Sequence, residues 1–342
     1  SSVASKYTTD EIYEKIKKFI LENYKFMIIL IVLVFTFTYE FPYVVYTPGG
    51  IVNLEKRIDV EKKVEKKGSL NMSYVTLRKG NIPSILLSFV IPDWDLLKES
   101  EVTIDDESVD DLLKMEKLYM ASSIDNATIL AYKKANKEIN ITNNVNNVIY
   151  VDDLAKTDVQ VYDQIISVDK NNISDINDLK EYIRTKKEND IVYFRVKNNG
   201  KEKTRKAQVI KINDELKVGI AFLTTYEYET VPEIKVKTKA SESGSSGGLM
   251  LSLAIYNSLI DEDITKGKKV VGTGTIDING NVGKIDGVKY KILGAVKNKA
   301  DLFICPKENY DEAIRVKKEH NLDIKIISVE TFDEAIRYLN NN

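Results

Sequence analysis

The stretch Gly244-Ser245-Ser246-Gly247-Gly248 decides how the sequence around it folds. The segment before it, Glu233 to Lys239, alternates apolar and polar side chains, which is typical of a strand. The segment after it, Leu249 to Ile260, is mostly apolar and predicts a helix. We therefore expect a tight strand-to-helix turn. Such a turn exposes a serine hydroxyl and directs backbone N–H groups toward one point, as an acyl-transfer site requires.

Other interpretations of this turn fit the sequence less well. A flexible Gly/Ser linker usually has polar flanks, whereas this turn leads directly into an apolar helix. A phosphate-binding loop of the Walker type ends in Gly-Lys-Ser/Thr, and the sequence lacks that tripeptide, which also argues against an ATPase module. An α/β-hydrolase would need the single histidine, His320, as its base, and too little chain is left for the usual sheet.

A serine nucleophile needs a base beside it, and the sequence favours a lysine. Lys289 opens a predicted helix, and apolar residues follow it at the i+3, i+4 and i+7 positions, so it is placed on the apolar face. Desolvation there would lower the pKa of Lys289 and leave a neutral amine that can accept a proton. Lys291 is predicted to face away from this stripe, toward solvent. Ser246 and Lys289 would then form a Ser-Lys dyad.

Two segments carry a resemblance to a known family. The stretch from Thr273 to Lys291 resembles the Lon protease segment T-G-E-I-T-L-x-G-x-V-x-x-I-G-G-L-K-E-K and aligns with it without a gap. Residues 244–248 resemble the Lon nucleophile motif G-P-S-A-G. The spacing of 43 residues from Ser246 to Lys289 is similar to the dyad spacing of that family.

The resemblance implies a role for each matched residue. Ser246 would be the nucleophile, Lys289 the base, and Thr273 the residue that orients the lysine. The turn around the nucleophile, with backbone N–H groups for the oxyanion, would be formed by Gly244, Ser245 and Gly247. Ser243 and Ser245 are competing serines, and the spacing favours Ser246 over both. No metal and no nucleotide cofactor is implied.

The sequence departs from the family pattern at three positions. Ser245 stands where the family has proline and Gly247 where it has alanine, and both changes should make the turn more flexible. Asp286 replaces the first glycine of G-G-L-K, and its carboxylate would favour the charged form of Lys289. We hypothesise that the resting site is imperfectly formed and is completed by substrate. Equal cleavage rates for the wild type and Asp286→Gly across pH would refute this.

The N-terminal part predicts a membrane anchor over residues 26–46, which hold a single charge, Glu40. Lys15, Lys17, Lys18 and Lys25 precede this run and the next basic residue is Lys56, so the positive-inside rule places residues 1–25 in the cytoplasm and the bulk of the chain outside. No small-residue cleavage site follows the run, which favours an uncleaved anchor over a signal peptide. A buried core helix is the alternative.

Between the anchor and the turn, the sequence predicts two regions. Residues 47–150 are expected to join the anchor to the folded core without chemistry of their own. Residues 151–213 have the strand and helix order of the second half of a PDZ domain, which binds an extended peptide as an added strand and holds its C-terminal carboxylate. The glycine-rich carboxylate loop is not evident in residues 148–154. C-terminus capture and a purely gating module both remain open. Residues 214–342 are expected to form the α/β protease domain.

The composition limits the classes of function that the protein can have. The 342 residues allow two or three domains, and the net charge of −2 gives no indication of nucleic-acid binding. The single cysteine, Cys305, ends an apolar strand and is expected to be a buried thiol, and one cysteine with one histidine leaves little for zinc. The partners expected are a peptide or unstructured protein substrate and the membrane, and the oligomeric state is left undetermined.

The whole pattern resembles the membrane-anchored Lon-like proteases with a PDZ domain of Gram-positive bacteria. The expected fold class is an α/β (α+β) Lon-type proteolytic domain with a PDZ-like domain and one N-terminal transmembrane helix. The expected function is an ATP-independent, membrane-anchored serine endopeptidase that cleaves exported or surface peptides and unstructured proteins. The alternative is a catalytically silent, anchored scaffold that binds peptides through its PDZ-like domain.

Overall fold

The computed structural model of the protein describes residues 9–61, 65–102, 109–239 and 242–341. Its α-helices, numbered in chain order, are α1 (Thr9–Thr38), α2 (Ile82–Ser88), α3 (Val109–Lys134), α4 (Ile176–Arg184), α5 (Gly248–Leu259), α6 (Val288–Lys297), α7 (Tyr310–Glu319) and α8 (Phe332–Asn341). Short 3-10 helices cover Glu99–Glu101 and Lys307–Asn309.

The β-strands, numbered in the same way, are β1 (Phe41–Asn53), β2 (Ile58–Val60), β3 (Ser69–Gly80), β4 (Asp95–Lys98), β5 (Glu138–Val151), β6 (Gln164–Val168), β7 (Asn171–Asn172), β8 (Ile191–Asn198), β9 (Lys201–Gln208), β10 (Ile210–Ile212), β11 (Glu215–Lys217), β12 (Ile220–Val231), β13 (Ile234–Val236), β14 (Lys269–Gly272), β15 (Thr275–Ile276), β16 (Val282–Gly283), β17 (Leu302–Pro306) and β18 (Lys325–Val329). The chain divides into two compact units, a smaller one of Ser1–Pro48 with Thr76–Asp106 and a larger one of Gly49–Val75 with Glu107–Asn342.

The smaller unit contains the apolar N-terminal helix. Within α1, the segment Ile12–Thr38 is long and apolar enough to cross a membrane by length and composition. After α1, the first part of β1 pairs with β4 in antiparallel fashion, with Tyr43 opposite Lys98. Helix α2 and the end of β3 complete this unit.

The structure corrects the predicted bounds of the anchor. The sequence analysis treated residues 26–46 as one span, whereas the helix ends at Thr38 and residues from Phe41 onward form β1. Pro42 accounts for the break, because a proline cannot donate an N–H to a helix and disfavours helical backbone at the residue before it. The apolar residues after Glu40 therefore belong to a strand.

The larger unit is built on a parallel sheet. Strands β3, β14, β17 and β18 lie side by side in the order β18-β17-β14-β3, and β1 lies next to β3. The central strand β14 places Val270 opposite Leu302 of β17 on one side and Leu70 of β3 on the other. Because β14 is paired on both sides, the residues that follow it are held at a fixed position at its carboxyl end.

Two buried clusters stabilise this sheet. One contains residues of α5 such as Leu249 and Leu253, packed with Leu130 of α3 and Phe332 of α8. The other contains α6 and α7 residues and includes Cys305 of β17. Burying one leucine contributes about 1.5–3 kcal/mol, and α5 is buried along nearly its whole length, so the helix after the Gly/Ser turn is firmly fixed.

The expected buried thiol is confirmed. Cys305 has no exposed surface, and burial raises the pKa of its thiol to about 12. A thiol with that pKa stays protonated at neutral pH and is a poor nucleophile.

The sequence analysis expected residues 47–150 to be a joining region, and the structure contradicts this. Strand β3 pairs in parallel with β14, so that Ser69 lies opposite Lys269 and Met72 opposite Gly272. Leu54 and Leu70 lie in the same buried cluster as α5. The physical reason is that a central parallel strand must have a partner on each side, and the chain supplies one of them from about 200 residues upstream.

A second sheet forms the expected PDZ-like module. Its strand order is β12-β5-β6-β8-β9, and its core contains Phe194, Val192 and, from α4, Leu179. The sheet extends beyond the expected range of 151–213 on both sides, because β5 begins at Glu138 and β12 ends at Val231. Strand β12 is an edge strand of this sheet.

Candidate active site

The predicted strand and helix on either side of residues 244–248 are confirmed, although the strand ends earlier than expected, at Val236. Strand β13 precedes the turn and α5 follows it from Gly248. Gly244 has a φ of +87°, a left-handed conformation that favours glycine, and its N–H donates to the Glu116 carbonyl at 2.9 Å. Ser246 follows in the turn, is partly exposed, and lines a cleft of about 510 Å³.

Thr273 fastens the turn to the carboxyl end of β14. Its side-chain hydroxyl donates to the Ser246 carbonyl at 3.0 Å, and the N–H of Gly274 donates to the same oxygen at 2.8 Å. Thr273 is fully buried, and its hydroxyl also accepts a hydrogen bond at 3.1 Å from Lys291 Nζ. One hydroxyl therefore connects the backbone of Ser246 to the amine of Lys291.

Lys291 is the buried lysine of the site. Its side chain lies on the buried face of α6 and is only 3% exposed. Burial lowers the pKa of Lys291 to about 8, and the negative charges of Asp286 and Glu116 oppose this shift without cancelling it. A lysine with this pKa supplies some neutral amine near neutral pH, which a general base requires.

The structure corrects the assignment of the two lysines. Lys291 was predicted to be solvated, and that prediction is wrong. Lys289, predicted to be the desolvated base, is only half-buried, and its Nζ lies 5.5 Å from the centre of the Tyr290 ring. The hydrogen bond to Thr273, the expected orienting residue, is made by Lys291.

The cause of this error is the choice of helix face. Helix α6 begins at Val288, after Gly287 at a φ of +72°, and its buried residues include Val288, Lys291, Ile292 and Ala295. The buried stripe is therefore shifted by one residue toward the N-terminus, compared with the stripe that the sequence analysis placed on the apolar face. The resemblance itself contained the necessary signal, since Lys291 aligns with the last lysine of the Lon segment.

Two residues of α3 near the site were not anticipated. The Glu116 carboxyl group lies beside Gly244, since a Cβ added to that glycine would come within 2.7 Å of Oε2. Burial raises the pKa of Glu116, and the positive charge of Lys291 opposes the shift. The hydroxyl of Ser123 donates to the Ser245 carbonyl at 3.2 Å. Neither could be found by motif, because α3 lies more than 100 residues before the turn.

The cleft beside Ser246 is lined by both apolar and charged side chains. Ile51, Met72 and Val75, from β1 and β3, are among the apolar ones. Arg57 and Glu242 also line it and form an ion pair, and both side chains are largely buried. An extended polypeptide segment could lie in such an open, mixed cleft.

Gly247, where the resembled family has alanine, has a specific neighbour. A Cβ at this position would come within 2.6 Å of the Met72 sulfur. The Met72 side chain thus fills the space that an alanine methyl would need. An alanine at this position would require the end of the Met72 side chain to shift.

The PDZ-like sheet carries a second cavity, of about 610 Å³. Leu179 and Ile183 of α4 line it on one side, and Gly219, Ile220 and Ala221 line it where β12 begins. Gly219 has a φ of +67°. The sequence analysis sought the carboxylate loop in residues 148–154, whereas the glycine-bearing loop beside the cavity precedes the edge strand β12.

Helix α3 contacts both sites. Ser122 donates its hydroxyl to the Thr224 carbonyl of β12 at 2.7 Å, and Asp125 accepts the Tyr226 N–H at 2.8 Å. The adjacent Ser123 faces the nucleophile turn. The same helix therefore supports the turn around Ser246 and covers part of the edge of the PDZ-like sheet.

Comparisons with known proteins agree with this architecture. Residues 223–341 match the family described as the Lon protease (S16) C-terminal proteolytic domain, and residues 140–209 match the PDZ domain. A solved PDZ domain, that of the SdrC-like protein from Listeria monocytogenes, is 22% identical and covers 24% of this chain and 92% of that domain, with a TM-score of 0.23.

Curated relatives match the C-terminal part of the chain. The Lon protease of Campylobacter jejuni is 31% identical over 98 residues, which are 28% of this chain and 12% of that protein. The Lon protease of Metamycoplasma arthritidis is 32% identical over 29% of this chain and 12% of its own length, and the archaeal Lon protease of Halobacterium salinarum is 30% identical over 27% and 13%. The chain thus spans about an eighth of the length of these relatives. The expected fold class is confirmed: the chain carries a Lon protease proteolytic domain, of the serine protease class, together with a PDZ domain and one long apolar N-terminal helix.

Proposed function

We propose that the protein is an ATP-independent, membrane-anchored serine endopeptidase in which Ser246 and Lys291 form the catalytic dyad. The observation that carries this proposal is the Thr273 hydroxyl, which contacts both the Ser246 carbonyl and Lys291 Nζ. The lowered pKa of the buried lysine gives the second support. Lys291 replaces Lys289 in the role that the sequence analysis gave it.

The reaction follows from these positions. Neutral Lys291 takes the proton of the Ser246 hydroxyl as Oγ attacks the peptide carbonyl carbon. Backbone N–H groups of the turn around Ser246 stabilise the oxyanion. The lysine ammonium then gives its proton to the leaving amine as the C–N bond breaks. A water molecule, deprotonated by Lys291, attacks the acyl-enzyme and releases the new carboxyl terminus with regeneration of Ser246.

Thr273 acts as a positioning residue in this scheme. Its hydroxyl donates to a backbone carbonyl and can therefore only accept from Lys291, which fixes the direction of the hydrogen bond. This keeps one N–H of the amine occupied and leaves the lone pair of the neutral form for the serine proton. Thr273→Val should therefore lower kcat more than it raises KM.

We propose unstructured exported or surface polypeptides as substrates. The cleft beside Ser246 is open and mixed in polarity, which suits an extended chain. The sequence contains no Walker tripeptide, so no step driven by ATP is proposed. The lysines that precede the apolar part of α1 support a cytoplasmic N-terminus and an extracytoplasmic protease domain by the positive-inside rule.

Turnover and covalent labelling together test this function. The full chain in nanodiscs should cleave unfolded casein, and an acylating serine-protease reagent should add its acyl group to Ser246, seen by mass spectrometry. Ser246→Ala should abolish both signals. A chain that neither cleaves nor becomes labelled at any pH, while remaining folded, would favour the alternative of a catalytically silent peptide-binding scaffold.

A second candidate function is capture of polypeptide C-termini by the PDZ domain. The cavity beside α4 is apolar where Leu179 and Ile183 face it and also has the basic residues Lys180 and Arg184 on its wall. A peptide could add to the β12 edge at Ile220 and Ala221, with its carboxylate at the loop that holds Gly219. Two peptides that differ only in a free or an amidated C-terminus test this, and equal affinities would reject capture.

A further inference from the structure

An exposed apolar segment covers the end of α2 and the two residues after it in the smaller unit. Its residues Leu86, Leu87, Phe89 and Val90 are exposed by 60%, 42%, 75% and 75%. We call residues 86–90 the apolar tip. An exposed phenylalanine and valine side by side, in a segment with two exposed leucines, is costly in water and indicates a contact surface.

The apolar tip is attached next to the end of α1. Asn81, which caps α2, donates its side-chain N–H to the Phe37 carbonyl in the last turn of α1 at 3.2 Å. Lys79, next to the last residue of β3, forms an ion pair with Glu40 at 2.8 Å. The base of α2 is thus fixed at the point where the chain leaves the candidate membrane span.

The length of α1 indicates that this point lies close to lipid. Its charge-free part, from Phe26 to the last residue Thr38, contains 13 residues. At 1.5 Å per residue this covers about 20 Å, whereas the hydrocarbon core of a bilayer is about 30 Å thick. This charge-free part ends at Thr38, so the residues that directly follow it, and the apolar tip fixed beside them, lie close to the membrane on this side.

We propose that the apolar tip inserts into the interfacial layer of the bilayer that α1 crosses, on the side where α1 ends. The partner is therefore a phospholipid surface. Two side chains beside the tip have the chemistry of that layer: Trp94, whose amphipathic ring suits the headgroup level, and Arg78, whose guanidinium lies 5.7 Å from the Trp94 ring. The inference rests on the proposed anchor and adds a second membrane contact to it.

Spin labels on introduced cysteines test this in the full chain. Cys305 is fully buried, so a label should react selectively at Phe89→Cys. The protein is reconstituted in vesicles of phosphatidylcholine and phosphatidylglycerol at a ratio of about 3:1. We expect the label at position 89 to be relaxed strongly by oxygen and weakly by a water-soluble nickel complex. The matched control is Leu154→Cys, an apolar residue that is 67% exposed in the larger unit.

Each outcome decides the question. A nickel accessibility at position 89 equal to that at position 154 would contradict the proposal, because the tip would lie in water. Shielding of position 89 from both oxygen and nickel would also contradict it, because the tip would then contact protein. A label at Ile31→Cys in α1 separates this inference from the anchor. Lipid exposure at 31 with water exposure at 89 rejects only the tip, whereas water exposure at 31 rejects the anchor.

The single tryptophan gives an independent measurement without an introduced label. Trp94 fluorescence should be quenched by lipids brominated near the headgroup in the wild type. The double change Phe89→Ser and Val90→Ser should reduce that quenching by at least half, because it removes the apolar side chains that hold the segment in the interface. Undiminished quenching in the double variant would show that these side chains do not insert.

Discussion

At the residue scale, the site depends on which of two neighbouring helix faces is buried. The stripe of Val288, Ile292 and Ala295 faces the core, and Lys291 lies on it. Because a buried ammonium is costly, this position lowers the lysine pKa, while Asp286 and Glu116 raise it. The pKa of about 8 is the balance of these effects, with burial the larger.

The activity should therefore rise with pH through about 8, as Lys291 loses its proton. Asp286→Asn removes a negative charge that favours the ammonium, so it should lower the pKa of Lys291 and shift the rising limb of the kcat/KM profile to lower pH. The pH profile of peptide cleavage measures this. Asp323→Asn changes an exposed aspartate that is not among the charges acting on the Lys291 pKa, so it serves as the control and should leave the profile unchanged.

Alanine substitutions at Gly244 and Gly200 separate an effect on catalysis from an effect on stability. An alanine at Gly244 (φ +87°) or at Gly200 (φ +77°) should cost about 1–2 kcal/mol of stability through left-handed strain. Only at Gly244 would the new Cβ meet another group, the Glu116 carboxyl, whereas at Gly200 no heavy atom lies within 4 Å. Both variants should lower Tm similarly, and only Gly244→Ala should lower kcat. Equal kcat values in casein cleavage would contradict this.

Part of the candidate site could be predicted from the sequence. The strand and helix beside the turn follow from local patterns, whereas the roles proposed for Ser246 and Thr273 come from the resemblance to the Lon motifs. Lys289 was chosen over Lys291 because two stripes on α6 both contain apolar residues and one lysine, and the periodicity does not distinguish them. Glu116 and Ser123 could not be predicted, because their approach to the turn depends on how α3 packs.

At the element scale, α3 supports the turn around Ser246 and the edge of the PDZ sheet through adjacent serines.

A helix-capping pattern in the sequence does not always give the contact that the structure shows. The Thr331 hydroxyl accepts from the Glu334 N–H as a helix cap predicts. Asn309, which directly precedes α7, makes no side-chain cap bond to it; it is fully buried and bonds to both the N–H and the carbonyl of Ile285. A tertiary contact has replaced the local one.

Ser123→Ala should lower kcat by about fivefold, since it removes a hydrogen bond worth about 1 kcal/mol from the carbonyl of Ser245. Ser122→Ala removes a comparable bond, but to the Thr224 carbonyl of β12, and should leave kcat unchanged. Steady-state cleavage of one peptide by the two variants checks this. The same kcat in both would show that the contact of Ser123 with the turn has no part in catalysis.

Asp125 should make the α3–β12 contact sensitive to pH. Burial raises the pKa of Asp125 to about 6, although the Tyr226 N–H opposes the shift. The folded state therefore binds the Asp125 proton more tightly than the unfolded state does. The stability that Asp125 contributes through this proton is lost as pH rises from about 4 to about 6. Asp125→Asn should raise the free energy of unfolding at pH 7 by about 1 kcal/mol, after allowance for solvent screening, with no gain at pH 4. A gain of equal size at both pH values, by urea unfolding, would contradict this origin.

At the scale of the whole molecule, the protease sheet and the PDZ sheet are interleaved along the chain. Strands β1 and β3 and helix α3 come first, the sheet from β5 to β12 follows, and β13 returns to pair with β2. The sequence analysis ordered the domains one after another because local patterns give elements but not their pairing. The pairing of β3 with β14 joins segments about 200 residues apart, and no local signal reports it.

This arrangement brings Ser246, Thr273 and Lys291 together from a turn, the end of a central strand and a helix. The central claim is that Lys291, rather than Lys289, is the base. The most direct measurement is casein cleavage by the full chain with Lys291→Ala beside Lys289→Ala, each checked for folding by its thermal transition. We predict a loss of about 10³-fold or more in kcat for Lys291→Ala, as for other residues that act as a unit with the nucleophile, and near wild-type turnover for Lys289→Ala. An inactive Lys289→Ala with an active Lys291→Ala would contradict the account.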